Sequence, residues 1–314
     1  MILLVFATAL QLAGWSNAPE QSWSAHVNAA HTSVEFRTVY RAKTEHGNWD
    51  DERGESIALD AITAKYPGLT PDQLLSGGVR VHFSQVHDAG TIDYTGVAGS
   101  GSGSGDFTVA ANPQFRAALQ RRGIGTPTAD EQLALTLMGA DYSYLDILAK
   151  QGFERPNVAQ FVRLLEHGVS AAYLRAMAAL HLTPRSIDSI VRARDHGVTP
   201  DYARALIDTG YRSLSIDDLI RARDHGVDAA LAAAFKTEGY PAVTMEQLIR
   251  LRDHGVSPEF IGALRNLGYK ASTEDLIRLR DHGVSAQYIA GLRRRGYTAQ
   301  LSVEDLIKLR DHGI

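Results

Sequence analysis

Residues Ser272–Tyr297 read STEDLIRLRDHGVSAQYIAGLRRRGY. Ser272 and Asp275 are spaced as a capping box, in which the serine side chain accepts a hydrogen bond from an early backbone N–H of a helix. Leu276, Ile277 and Leu279 supply an apolar stripe. The helix is expected to stop at His282, with Gly283 turning the chain in a left-handed conformation and Val284 packing back after it. Ser285 can cap a second helix carrying Tyr288, Ile289 and Leu292, which ends at Gly296-Tyr297. The unit is therefore two antiparallel helices of about ten residues each, the length of roughly three turns.

The same grammar recurs along the second half of the chain. Asp-His-Gly occurs as Asp195-His196-Gly197, Asp224-His225-Gly226, Asp253-His254-Gly255, Asp281-His282-Gly283 and Asp311-His312-Gly313, with histidine spacings of 29, 29, 28 and 30 residues. Glu166-His167-Gly168 continues the series upstream by another 29. Ser215-x-x-Asp218, Thr244-x-x-Gln247 and Ser302-x-x-Asp305 open first helices. Thr199-Pro200 and Ser257-Pro258 open second helices with proline where its missing N–H does no harm. Gly210-Tyr211, Gly239-Tyr240 and Gly268-Tyr269 close them. Degenerate copies reach back to Asn112-Pro113, which predicts seven copies of each helix over residues 112–314. A period of this kind means a stack of two-helix units, an α-solenoid, and helices so short depend on their neighbours for stability.

The recurring Asp-His pair has a metal-site reading, since stacked repeats align equivalent residues. Equivalent positions in adjacent repeats should lie about 10 Å apart, the usual helix-packing distance, which is too far for one ion to bridge. A histidine at a helix C-terminus instead complements the negative end of the dipole and can bond free carbonyls. The aspartate opposes that dipole and so needs a partner. Of the 26 basic residues in 112–314, 22 are arginine, and an arginine precedes every Asp-His, so the expected partner is an arginine or a backbone N–H of the adjacent repeat. These fifteen repeat residues are thus expected to be structural, with no catalytic, cofactor-binding or metal-ligating residue among them.

Residues 19–111 have another texture. Ser24–Ala30, Ser33–Arg41, Val79–Val86, Thr91–Val97 and Asp106–Ala110 alternate apolar and polar residues, predicting a small antiparallel sheet of about five strands. Asp88-Ala89-Gly90 suits a hairpin turn, and Ile57–Lys65 and Thr70–Leu75 look helical. The run Gly99–Gly105, GSGSGSG, lacks the Gly-Lys-Ser/Thr of a phosphate loop and the spacing of a nucleophile elbow, and is expected to form a flexible hairpin tip. His82 and His87, five residues apart in one strand, should face opposite sides of the sheet. His26, His31 and His46 show no ligand spacing. Asp50-Asp51 is expected in a turn and Asp217-Asp218 at a helix start.

Composition is that of a globular protein, 44% hydrophobic and 22% charged. The net charge of −4 conceals 6 Lys+Arg against 12 Asp+Glu in residues 1–111 and 26 against 24 in 112–314, and neither part has the basic excess of a nucleic-acid surface. Residues 1–18 carry an apolar run, Ile2–Gly14, of signal-peptide length, with Ser16-Asn17-Ala18 at a cleavage position, so export to the periplasm is expected. The chain has no cysteine, which removes disulfides and thiolate metal sites.

Two stretches, Gln247–Tyr269 (QLIRLRDHGVSPEFIGALRNLGY) and Asp275–Tyr297, resemble the extracytoplasmic C-terminal region of some bacterial membrane metallopeptidases of the beta-lactam-sensor type. Val79–Phe115 is similar to the sheet module that precedes such repeats. The peptidase domain with its HExxH motif has no counterpart in this sequence, so the resemblance carries over no catalytic residue, no cofactor and no metal. It implies an exported sensing or partner-binding module. The expectation is an α+β protein, a small antiparallel β module followed by an α-solenoid. It acts as an exported non-enzymatic scaffold for a protein or peptide partner through its helical-repeat surface. Alternatives are a sensory or inhibitory subunit of a membrane metallopeptidase acting through the β module, which would make a membrane protein the partner, and a hydrolase whose site follows no known motif.

Overall fold

The computed structural model describes residues 19–44, 47–184, 186–297 and 299–314; the expected leader, residues 1–18, and His46 lie outside them. Among the described residues six strands come first: β1 Glu20–Val27, β2 Ser33–Thr44, β3 Gly47–Ala58, β4 Val79–His87, β5 Gly90–Gly99 and β6 Ser102–Ala111. Between β3 and β4 lie a 3-10 turn, Leu59–Ala61, and two short helices, α1 Ile62–Lys65 and α2 Pro71–Leu75. Thr70 caps α2 in a full capping box with Gln73. The architecture is α+β, as expected from the sequence. The chain forms two compact units, residues 1–143 with 157–162, and residues 144–156 with 163–314.

In the first unit every strand pairing is antiparallel, in the order β3-β2-β1-β6-β5-β4. The period-2 alternation sends Val34, Phe36 and Tyr40 of β2, Val81 and Phe83 of β4 and Ile92 and Tyr94 of β5 to one buried face, joined by Trp23 and Phe107. Phe36 and Phe83 stand four strands apart in the sheet, a span of about 19 Å if it were flat. Their ring centroids are 6.2 Å apart, and Phe36 meets Tyr94 of β5 at 6.0 Å. The sheet is therefore curled, and its aromatic face closes on itself.

Three expectations for this unit change. β3 is a sixth strand, carrying Asp50 and Asp51 in the ladder rather than in a turn. It extends through Ala58, so only Leu59–Lys65 of the expected helix is helical. The Gly-Ser run is not a flexible tip. Only Ser100 and Gly101 form the turn, while Ser102–Gly105 belong to β6 and pair with β1 and β5. Steric fit explains the glycines: a Cβ on Gly103 would lie 3.0 Å from the Trp23 indole, whose Nε1 donates to the Thr95 carbonyl at 3.0 Å. Glycine faces inward beneath the indole, and Ser102 and Ser104 face solvent.

Among the described residues fourteen helices follow β6: α3 Pro113–Arg121, α4 Ala129–Leu137, α5 Tyr142–Lys150, α6 Val158–Glu166, α7 Ala171–Ala179, α8 Ile187–Asp195, α9 Pro200–Asp208, α10 Ile216–Asp224, α11 Ala229–Thr237, α12 Met245–Asp253, α13 Pro258–Asn266, α14 Thr273–Asp281, α15 Ala286–Arg294 and α16 Val303–Asp311. These are seven first and seven second helices, starting at Asn112 as the repeat count requires. α4 packs on β5 and β6, where Gln132 Nε2 and Thr136 Oγ1 both donate to the Ala89 carbonyl. In the reference repeat Ser272 accepts from Asp275 N, His282 is the C-cap, and Gly283 has φ +67°. The Val284 N–H then returns to the Leu279 carbonyl at 2.8 Å, closing a Schellman turn around a fully buried valine. His181 holds the glycine position of α7 and adopts φ +60° all the same.

Candidate binding sites

The second unit brings each Asp-His pair to its equivalent one repeat away. The histidine at the end of one first helix meets the aspartate at the end of the next: His167–Asp195 at 2.7 Å, His196–Asp224 at 2.9 Å, His225–Asp253 at 2.7 Å, His254–Asp281 at 2.8 Å and His282–Asp311 at 3.0 Å. An ionised carboxylate only accepts, so Nδ1 carries the proton and donates. The neighbouring repeat does supply the aspartate's partner, as expected, but that partner is histidine rather than arginine. Histidine correspondingly leaves its own helix end; among these residues only His312 turns back, to the Lys308 carbonyl at 2.7 Å. The glycines Gly197, Gly226, Gly255, Gly283 and Gly313 all take φ between +67° and +73°.

The arginines serve two other ladders. Those at the sixth position of each first helix reach an acid at the second position of the next: Arg163–Asp188 at 2.5 Å, Arg192–Asp217 at 3.4 Å, Arg221–Glu246, Arg250–Glu274 at 3.0 Å and Arg278–Glu304 at 2.5 Å. Of the five that precede aspartate, four lie over an aromatic ring of the preceding second helix, and Arg252 has Leu231 at that place instead. Arg194 is 5.8 Å from the Tyr173 centroid, Arg223 5.1 Å from Tyr202, Arg280 5.2 Å from Phe260 and Arg310 5.1 Å from Tyr288. Where the ring is tyrosine its hydroxyl can also tie the repeats, Tyr173 donating to the Val198 carbonyl at 2.9 Å and Tyr202 to that of Val227 at 2.7 Å. Burial pushes both phenols up to about 12. The recurrent charged residues therefore brace one repeat against another, and among the described residues no group of three or more His, Asp or Glu could hold a metal ion.

A recess of a different kind lies in the first unit. It has a volume of about 570 Å³ and opens between β3 and β4, the two edges that the curl of the sheet brings to face each other. Asp51, Arg53 and Glu55 alternate along the inner face of β3. Arg53 donates from Nε to Asp51 at 3.0 Å and from Nη1 to the Leu137 carbonyl at 3.0 Å. Glu55 pairs with Lys65 and accepts from the Tyr66 hydroxyl at 2.8 Å. On the β4 side Gln85 donates to the Lys65 carbonyl at 3.2 Å and accepts from the Tyr94 hydroxyl at 2.9 Å. Phe36, Tyr40, Ile92 and Phe107 form the floor. Burial first, then the nearby Glu55, raises the phenols of Tyr66 and Tyr94 well above their ordinary range, so both remain proton donors.

His82 and His87 take opposite faces of β4, as their spacing requires, with His82 exposed and His87 lining the recess. The His87 Nδ1 lies 3.3 Å from Asp141, which also accepts from the Asp88 N–H at 2.8 Å, and the ring rests on Gly139. The only aliphatic hydroxyl among the described lining residues is Thr38. The recess is thus rich in paired donors and acceptors around an aromatic floor, the general character of a small-molecule site. Its β3 wall escaped the reading of the sequence because its inward residues are charged. The signal present was a period of two in Asp51, Arg53, Glu55 and Ile57.

Neither protein-family models nor the curated proteins yield a match to this chain. Among the described residues no helix is long and apolar enough to cross a membrane.

Proposed function

We propose that the protein is an exported, non-enzymatic scaffold that binds a protein or peptide partner through its helical repeats. One observation carries this reading: from α8 to the last repeat, the exposed residues at positions two, six and eight of the first helices recur, and those at positions two and nine of the second helices do not. From α8 onward, position two of the first helices is acidic (Asp188, Asp217, Glu246, Glu274, Glu304), position six is basic and position eight is arginine. All three serve the ladders between repeats. From α9 to α15, positions two and nine of the second helices are exposed and differ from one copy to the next: Asp201 and Asp208, Ala230 and Thr237, Glu259 and Asn266, Gln287 and Arg294. A repeat array that holds its scaffold residues constant and varies one exposed strip is built to present a specific surface along its length.

Photocrosslinking residues placed at positions 208, 237 and 266 of the intact chain test this in extracts of its own cells. All three should capture one common partner, and a crosslinker at Ser24 on the exposed sheet face should not. Capture from the sheet alone would overturn the proposal.

The recess of the first unit favours a second reading, in which a sensory subunit takes its ligand there. The resemblance to sensor-type metallopeptidase repeats is consistent with it. Deleting the variable strip would then leave ligand binding untouched.

A further inference from the structure

We propose that the recess between β3 and β4 is a binding site for a neutral saccharide. The inference is independent of any partner of the helical repeats. Its volume of about 570 Å³ lies in the range of small-ligand pockets.

Charge comes first. Each ionisable side chain at the mouth already has a partner: Asp51 has Arg53, Glu55 has Lys65, Glu52 has Arg37 and His87 has Asp141. A charged ligand would have to break one of these pairs or sit against an opposing charge beside it. A neutral, dipolar ligand meets no such cost.

Arg53 and Gln85 retain unused hydrogen-bonding capacity. Arg53 has five N–H groups, and its two bonds engage Nε and Nη1. The Gln85 amide has two donors and two acceptor lone pairs, and one of each is engaged. Arg53 and Gln85 therefore leave both donors and an acceptor unengaged at the mouth, and a group that is both at once, a hydroxyl, matches either kind. The floor is apolar as well: Phe36, Tyr40, Ile92 and Phe107 are largely buried, and the edges they leave at the recess can meet the C–H face of a sugar ring. These side chains are fixed by the curl of the sheet, so the surface is formed before any ligand arrives.

Calorimetric titration of the intact chain with glucose, N-acetylglucosamine, maltose and diacetylchitobiose tests the proposal, with succinate and spermidine as charged probes. At least one saccharide should bind saturably, and neither charged probe should. Gln85→Ala should weaken that binding roughly fivefold or more, the loss expected from one or two hydrogen bonds. Met138→Trp, which fills the recess without adding charge, should abolish it in a chain whose circular dichroism is unchanged. Val86→Ala, on the opposite face of β4, should bind as the parent does. The proposal is overturned if no saccharide binds, if only a charged probe binds, or if a folded Met138→Trp chain still binds. None of these results bears on crosslinking by the second helices, so the two readings fail separately.

Discussion

Leu231 interrupts the aromatic ladder, and replacing it with tyrosine should strengthen one joint of the array. It is the third residue of α11, where α7, α9 and α15 carry Tyr173, Tyr202 and Tyr288 and α13 carries Phe260. The partners for a tyrosine are already in place. Arg252 stands to Gly226 as Arg223 stands to Gly197, with Nε 3.8 Å and 3.6 Å from the respective ideal Cβ positions. The Val256 carbonyl corresponds to that of Val227, which accepts from Tyr202. A new hydrogen bond contributes about 1 kcal/mol and a partly exposed cation–π contact about 0.5–1 kcal/mol. Ordering the ring costs about 0.5 kcal/mol, so Leu231→Tyr should stabilise the joint by about 1 to 1.5 kcal/mol.

Because repeat arrays unfold in parts, the gain should be read by amide hydrogen exchange across α11 and α12 as well as by urea unfolding. Leu231→Phe should recover only the stacking portion, and the advantage of tyrosine over leucine should shrink by that portion in an Arg252→Ala background. A Leu231→Tyr chain no more stable than its parent would refute the argument that ring and hydroxyl link the repeats. So would a gain that Leu231→Phe reproduces in full.

A double-mutant cycle on His225→Ala and Asp253→Ala should give a coupling of about 0.5 kcal/mol that falls with added salt, because both side chains are some 40% exposed. Tyr173 and Tyr202 hold their protons up to about 12 in the fold. Their contribution is therefore complete below the ordinary phenol range near 10 and lost as pH rises toward 12, so the melting temperature should fall across that window, less steeply in Tyr173→Phe. Gly103→Val should destabilise the sheet unit by about 1–3 kcal/mol in chemical unfolding, since its side chain meets the Trp23 indole, whereas Ser102→Val on the solvent face should be near neutral. His181→Gly should raise stability by up to about 1 kcal/mol by relieving a non-glycine residue held at φ +60°.

The repeat array was legible because its signals are local. A cap, a stripe, a glycine and a valine sit within a dozen residues of one another and recur, so helix ends such as Ser272 and Gly283 follow from chemistry within one turn. Partner choice was less legible. The need of each aspartate for a partner was visible from the helix dipole, but which neighbour reaches it depends on the offset between stacked repeats. That offset puts histidine, not arginine, at bonding distance. In the sheet unit the alternation of apolar residues marked five strands, and the sixth was hidden by its charges. Nothing local announces that β3 and β4, at opposite edges, will face each other; the curl accompanies large aromatic side chains on one face, with Gly103 yielding space beneath Trp23 and Gly105 letting β6 approach the β5 backbone at Thr95 and Gly96. The recess is a product of that curl, and so was invisible until the strands were assembled.

The unequal spacing of the histidines shows what the array protects. Between successive His residues the chain measures 29, 29, 28 and 30 residues, and the difference lies wholly in one loop. From the tyrosine closing a second helix to the cap of the next first helix there are four steps at Tyr211–Ser215 and at Tyr240–Thr244, three at Tyr269–Ser272 and five at Tyr297–Ser302. Every helix from α3 to α16 keeps nine residues. The His–Asp, Arg–acid and Arg–aromatic contacts persist across the short and long repeats alike. Even the variable loop is tied down, as Tyr211 and Tyr240 donate to the Val243 and Ala271 carbonyls at 2.9 and 2.6 Å. Individually these exposed contacts are weak. A stack shifted by one turn, however, would lose several at once and set arginine against arginine. Their combined effect is to hold register between helices too short to be stable alone. The proposed partner, if it spans several second helices, would require that register, because it fixes the spacing at which Asp208, Thr237 and Asn266 are displayed.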